Sequence, residues 1–272
     1  MTYQEVLANQ TIALSISESA DLSVLGLAPE HLQDAMAEVA RYLLASGARL
    51  IYGGDLRPEG FTEVLFELVA RHRRDANEGD NRLGVDNILA WPVHINMHAE
   101  EMNRLSAALD GLANLVYLNM DGTVMPLEER KTVRPREATS DEWKRGLSTM
   151  RSRLIESSDA RIILGGVTTG FKGRMPGVAE EALYSLQARQ PLYLLAGFGG
   201  CTQDLAEILS LLPSTGHRST SDAWQFKTEF EEFDANSLNN GLTLEENILL
   251  ASTVHIDEAV LLILRGLLRL KH

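Results

Sequence analysis

Along most of the chain the apolar positions switch between two periods, every second residue and every third to fourth. Ile12, Leu14 and Ile16 alternate with small residues through Thr11–Ser17, which predicts a strand running out into the polar Ser17-Glu18-Ser19. From Pro29 to Ser46 the apolar residues Leu32, Met36, Val39 and Leu43 fall at helical spacing, with Pro29 suited to the first helical position and Gly47 to the stop. Arg49–Tyr52 is a second short strand, broken by Gly53-Gly54. Phe61 to Arg73 is helical again, with Val64, Leu65, Leu68 and Val69 on one face.

The exchange then repeats. Asn87–Val93 predicts a strand whose end is weakened by Pro92. Ala99–Leu112 predicts a helix, Leu115–Asn119 a strand, and Asp121–Arg136, with both charge signs and two prolines, a long loop. Thr139 and Glu142 spell a capping box before a helix reaching Ser157. Strands over Ala160–Leu164 and Pro191–Ala196 alternate with helices over Val178–Ala188 and Thr202–Leu211. About six strand–helix alternations at this spacing imply right-handed crossovers and a mainly parallel sheet covered on both faces. The expected fold is therefore α/β, a doubly wound Rossmann-like domain over residues 1–212. Residues 213–272 form a linker and C-terminal helices that pack on the domain or at a homodimer interface. A second capping box, Thr243 with Glu246, opens that extension, and Ile256–Leu270 is strongly apolar.

Composition narrows the function classes. In 272 residues, 25 basic side chains face 38 acidic ones, a formal net charge of −13, which argues against nucleic-acid binding through phosphate neutralisation. It leaves room for a small anionic ligand held by a few local donors. The hydrophobic share of 44% fits a folded globular chain, and no apolar run is long enough to span a bilayer. The opening MTYQEVLANQ lacks a basic segment followed by an apolar one, so no signal peptide is expected. Cys201 is the one cysteine, which excludes an intrachain disulfide and fits a cytoplasmic location.

Three predicted strands end in paired glycines: Gly53-Gly54, Gly165-Gly166 and Gly199-Gly200, the last preceded by Gly197. Such turns let backbone amides approach an anion beyond the carboxyl ends of the strands, although each also serves as a tight strand-to-helix turn. No G-x-G-x-x-G follows the first strand, and neither a P-loop nor a G-x-S-x-G elbow occurs. His94 and His98 have helical ligand spacing without a third ligand nearby, so they are read as a surface or loop pair, and no metal site is assigned. Cys201 is read as a small buried residue. The richest stretch is 150–182. Arg151 and Arg153 open it, a strand ends in Gly165-Gly166, a glycine-rich loop follows, and Glu180-Glu181 begin the next helix. An arginine fork clamps phosphate. A carboxylate at the helix start holds ribose hydroxyls, assists departure of a base, or only complements the helix dipole.

At these residues the chain resembles the SLOG superfamily, which includes the Lonely Guy phosphoribohydrolases and the nucleotide-sensing domains of melastatin-type channels. The similarity covers about residues 11–212. It runs through Leu50–Gly54 with Asp55, through Arg151 and Arg153 ahead of Ser158–Ala160, and through Ile162–Gly166 followed by Glu180-Glu181. Leu164 stands where the hydrolases carry proline, and a longer loop, Gly170–Gly177 with Arg174, separates the glycines from the glutamates. That loop is similar to the sensor branches of the superfamily. The resemblance thus implies binding or sensing of a nucleotide-derived small molecule, ADP-ribose- or NAD-related, with no further cofactor required. Amides after Gly53, Gly165 and Gly199 would cradle phosphates, Arg151, Arg153 or Arg174 would add charge, and Ser17, Asp55 and Glu181 would meet ribose hydroxyls or base edges. The alternatives are a nucleoside monophosphate N-glycosidase using Glu180 or Glu181 with Arg153, and an assembly subunit of a prokaryotic defence or signalling system that uses its C-terminal tail.

Overall fold

A computed structural model describes residues 5–54, 56–57, 60–75, 84–214 and 226–271. Its elements, in chain order, are β1 (Thr11–Ser17), α1 (Pro29–Ala45), β2 (Arg49–Tyr52), α2 (Phe61–Asp75), β3 (Val85–Leu89), α3 (Trp91–His94), α4 (Ala99–Ala108), β4 (Ala113–Leu118), β5 (Val124–Met125), α5 (Leu127–Thr132), α6 (Ser140–Glu156), β6 (Ala160–Gly165), α7 (Gly177–Gln187), β7 (Leu192–Leu195), α8 (Gly200–Ile208), α9 (Leu244–Ser252) and α10 (Ile256–Arg269). Seven strands form one sheet in the order β5-β4-β3-β2-β1-β6-β7. The pairs β2·β3, β3·β4 and β6·β7 are parallel, and the short β5 is antiparallel to β4. This is the expected α/β, Rossmann-like architecture.

The chain divides into two compact units. The first comprises Met1–Ala13, Leu43–Ser158 and Lys172–Arg174; the second comprises Leu14–Tyr42, Asp159–Phe171 and Met175–His272.

In the first unit, Ile51, Ile88 and Leu118 from three strands pack with Met150 and Leu154 of α6. The α6 capping box forms as expected: the Glu142 amide donates to Thr139 Oγ1 at 3.3 Å, and the Thr139 amide donates to Glu142 Oε2 at 2.9 Å. The bonded Arg136 guanidinium, helped by that amide, holds the Glu142 carboxyl well below the usual carboxylate range. Two expectations fail here. The strand predicted over Asn87–Val93 begins at Val85 and ends at Leu89, and Trp91–His94 forms a helical turn. Pro92 cannot donate to a ladder but fits the first turn of a helix. The stretch Asp121–Arg136 is not a plain loop, because it contains β5 and α5.

Arg130 explains the position of α5. Its side chain is fully buried and has no carboxylate partner among the described residues. Nε donates to His94 Nδ1 at 2.9 Å, Nη1 to the Val133 carbonyl at 3.1 Å, and Nη2 to the carbonyls of Met97, at 3.2 Å, and of His94. His94 Nε2 then donates to the Leu118 carbonyl at 2.9 Å. His94 is therefore not the surface or loop residue expected; it is 0% exposed, while His98 is exposed.

In the second unit, β6 and β7 are buried along their whole lengths, as strands covered on both faces are. Ile163 and Leu194 pack with Val178, Ala182 and Leu186 of α7, Leu205 of α8, and Phe230, Leu238 and Ala251 of the C-terminal region. Asn240 Nδ2 donates to the Leu192 carbonyl at 2.8 Å, and Tyr193 Oη donates to the Asn240 carbonyl at 2.9 Å, which ties this region to β7. The Thr243–Glu246 capping box is present at the start of α9. No helix among the described residues is long and apolar enough to cross a membrane.

Candidate functional site

The strand order reverses beside β1: the chain builds β2, β3 and β4 to one side, then crosses to β6 and β7 on the other. In open α/β sheets the crevice at such a reversal, beyond the carboxyl ends of the strands, is where ligands sit. The carboxyl ends of β1 and β6, Ser17 and Gly165, both lie in the second unit.

The two ends are joined closely. The Ser17 carbonyl accepts from the Gly166 amide at 2.9 Å, and Ser17 Oγ accepts from the Val167 amide at 3.1 Å. The start of α8 approaches the same turn backbone to backbone. A Cβ on Gly200, at φ +71°, would lie 2.4 Å from the Gly165 carbonyl carbon, so glycine is required there. Thr202 Oγ1 donates to the Gly165 carbonyl, and the Cys201 amide donates to the Gly166 carbonyl, both at 2.9 Å. The Gly200 amide donates to Asp21 Oδ2 at 2.8 Å, and the Asp21 amide donates to Ser19 Oγ at 3.3 Å. A carboxylate of the chain thus rests on the positive end of α8. Gly199 lies beside Asp21 and Ser19, and Gly197 lies against the Thr253 carbonyl. Beyond these turns, Thr169 and Gly170 are open to solvent.

Glu180 and Glu181 also belong to the second unit, and both are buried. Tyr184 Oη donates to Glu180 Oε1 at 3.2 Å. Glu181 Oε2 pairs with Arg161 Nη1 at 2.5 Å and accepts from Ser15 Oγ. Arg161 also donates to Ser15 Oγ at 2.6 Å and to Ser185 Oγ at 3.0 Å, and Ser185 donates to Gln190 Oε1 at 2.9 Å. This polar network links β1, β6 and α7. Cys201 is fully buried as expected; burial, aided by the charge of Asp204, pushes its thiol far above the ordinary range, so it is no ready nucleophile.

The remaining predicted residues that the structure describes lie in the first unit. The Gly54 carbonyl accepts from Asn87 Nδ2 at 3.5 Å, and Met150 and Leu154 of α6 pack against Gly53. Arg151 is buried on α6, Arg153 pairs with Glu156 at 2.7 Å, and Arg174 is exposed. Asp55 falls outside the described residues. No cluster of three or more His, Cys, Asp or Glu side chains that could hold a metal occurs among the described residues.

Asp21, Ser15 and Arg161 escape sequence reasoning. Asp21 sits in a polar stretch without a motif. Arg161 does carry a signal, since one charge in an otherwise apolar strand demands a buried partner.

A family model described as SLOG cluster2 matches residues 6–220. No curated protein matches the chain.

Proposed function

The chain belongs to the SLOG superfamily, cluster 2, a nucleotide-related Rossmann-like group, and we propose that it binds and senses a nucleotide-derived ligand, ADP-ribose- or NAD-related, at the carboxyl ends of β1 and β6. The observation that carries this reading is Asp21 on the Gly200 amide. The crevice at the sheet reversal has an amide and a helix dipole that favour negative charge, and a carboxylate of the chain now meets them. A ligand phosphate competes for that amide, with Ser17 Oγ and the solvent-open Thr169 and Gly170 beside the same turn. Binding is favoured over glycosidic hydrolysis because Glu181 is committed to Arg161 and Ser15, and Glu180 is buried.

The test incubates the protein with AMP, ADP-ribose, NAD and cyclic dinucleotides and follows thermal stability and released base in the same samples. A ligand that binds the native state raises the apparent Tm by mass action. The expected result is a shift without base release. Absence of binding at sub-millimolar concentration sinks the proposal, and base release lost in Glu181→Gln replaces it with an N-glycosidase.

A second outcome concerns Asp21. With its carboxylate removed, Asp21→Ala is expected to tighten binding of phosphate-bearing ligands by about tenfold, roughly 1.4 kcal/mol, and to leave adenosine unchanged. Calorimetry reads both. Equal weakening for adenosine and ADP-ribose would instead make Asp21 a ribose contact.

A further inference from the structure

The α10 helix buries one face and shows another to solvent. Ala259, Val260, Leu262, Ile263, Gly266 and Leu267 are buried. The opposite side carries Leu261, Leu264 and Leu268 together with Arg265 and Arg269; Leu261 is 57% exposed, and Leu264 and Leu268 are half-buried. With Asp257 one turn before Leu261, these leucines repeat at the three- and four-residue steps of a helix-pairing seam. A solvent-facing leucine seam on a well-formed helix marks an interaction surface more often than a lone exposed leucine does.

The charges on this face identify its occupant. Asp257 and Glu258 stand at the amino end. Arg265 and Arg269 stand at the carboxyl end, where they share Glu246 of α9 at 2.8 and 2.5 Å. Two guanidiniums against one carboxylate leave the carboxyl end positive, while the amino end is negative. A parallel copy of the helix would set like charge on like charge. An antiparallel copy sets each acidic end beside the partner's arginines and opposes the two helix dipoles. We propose that α10 pairs antiparallel with α10 of a second copy of this chain, about a two-fold axis near Leu261 and Leu264. Such a pairing is isologous and self-complementary, and Leu261 of each protomer meets Leu264 of its partner. Because a single helix face is a small interface, the dimer is weak and depends on concentration.

Sedimentation velocity on the full chain across the micromolar range tests this. The wild-type chain is expected to shift from monomer to dimer. Leu261→Arg is expected to remain monomeric with an unchanged circular dichroism spectrum, since the site is exposed. Asp257→Arg, which sets like charges together, is expected to weaken association at least about tenfold. Orientation is read by oxidative cross-linking: Asp257→Cys and Leu268→Cys chains should link to each other when mixed and not to themselves, with Cys201 buried and silent. A wild-type monomer at every concentration, a dimer indifferent to Leu261→Arg and Asp257→Arg, or self-linking of either cysteine variant overturns the proposal.

Discussion

Arg161→Met is expected to lower the unfolding free energy by roughly 3–5 kcal/mol in urea denaturation, whereas the double variant Arg161→Met/Glu181→Leu regains most of that loss. Arg161 is 0% exposed and Glu181 is 7% exposed, so neither charge has much water to turn to. Removing the guanidinium leaves a carboxylate buried in the second unit without the Arg161 charge it pairs with. Removing both charges also removes that penalty, because two apolar side chains of similar volume replace a pair whose desolvation offset much of its attraction. The double variant also decides what Glu181 does. If the pair only sets the register of α7 against β1 and β6, ligand-induced thermal shifts survive in the double variant. If they vanish while the fold remains, Glu181 touches the ligand.

The same pair shows where reading the sequence stops. Elements with a clean period are legible: β1 and β2 appear over the predicted residues, and both capping boxes form. So do the glycine turns and the order of strands and helices, which carry the fold. What a period does not encode is a contact between residues far apart in the chain. Arg161 reads as part of an apolar strand, yet its Nε and Nη1 bond Ser15 from β1 and Glu181 and Ser185 from α7. Asp21 reads as loop polarity, yet it meets an amide 179 residues later. The glycine turns are legible as turns but not as occupied ones. The amides of Gly166, Val167, Gly200 and Cys201 are all satisfied by the protein, which makes a phosphate a competitor there and not a filler. The α5 helix is missed for the same reason, since six residues between prolines owe their place to Arg130 reaching His94 and Met97.

That reach gives the second large effect. Stability is expected to fall by about 3 kcal/mol as pH drops from 6.5 to about 4, with His94 as the main cause. Burial first, and then the charge of Arg130, pull the imidazole down to about 4 from its ordinary value of 6.5, against the opposing bond to the Leu118 carbonyl. The folded value lies below the unfolded one, so the unfolded chain takes up the proton first. The stability conferred by the neutral ring is complete above pH 6.5, declines through the window, and has no further pH dependence below about 4. The depressed carboxyls act lower: Glu142 and Glu246 begin to lose their contributions only below their unfolded value of 4.5, with Glu246 held near 2 by Arg269. Between pH 6.5 and 4.5 the difference between wild type and a His94 variant therefore isolates the imidazole. His94→Asn suits this purpose, because its side-chain oxygen can still accept from Arg130 while carrying no titratable proton. Urea denaturation at half-unit pH steps should give a wild-type curve that slopes through this interval and a His94→Asn curve that is flatter there, though lower at pH 7 for want of the donor to Leu118. Parallel curves would remove His94 from the account. The geometry argues against that result: Arg130 Nε–H already fills the Nδ1 lone pair at 2.9 Å, so a proton can enter only by breaking that bond and leaving two cations in contact.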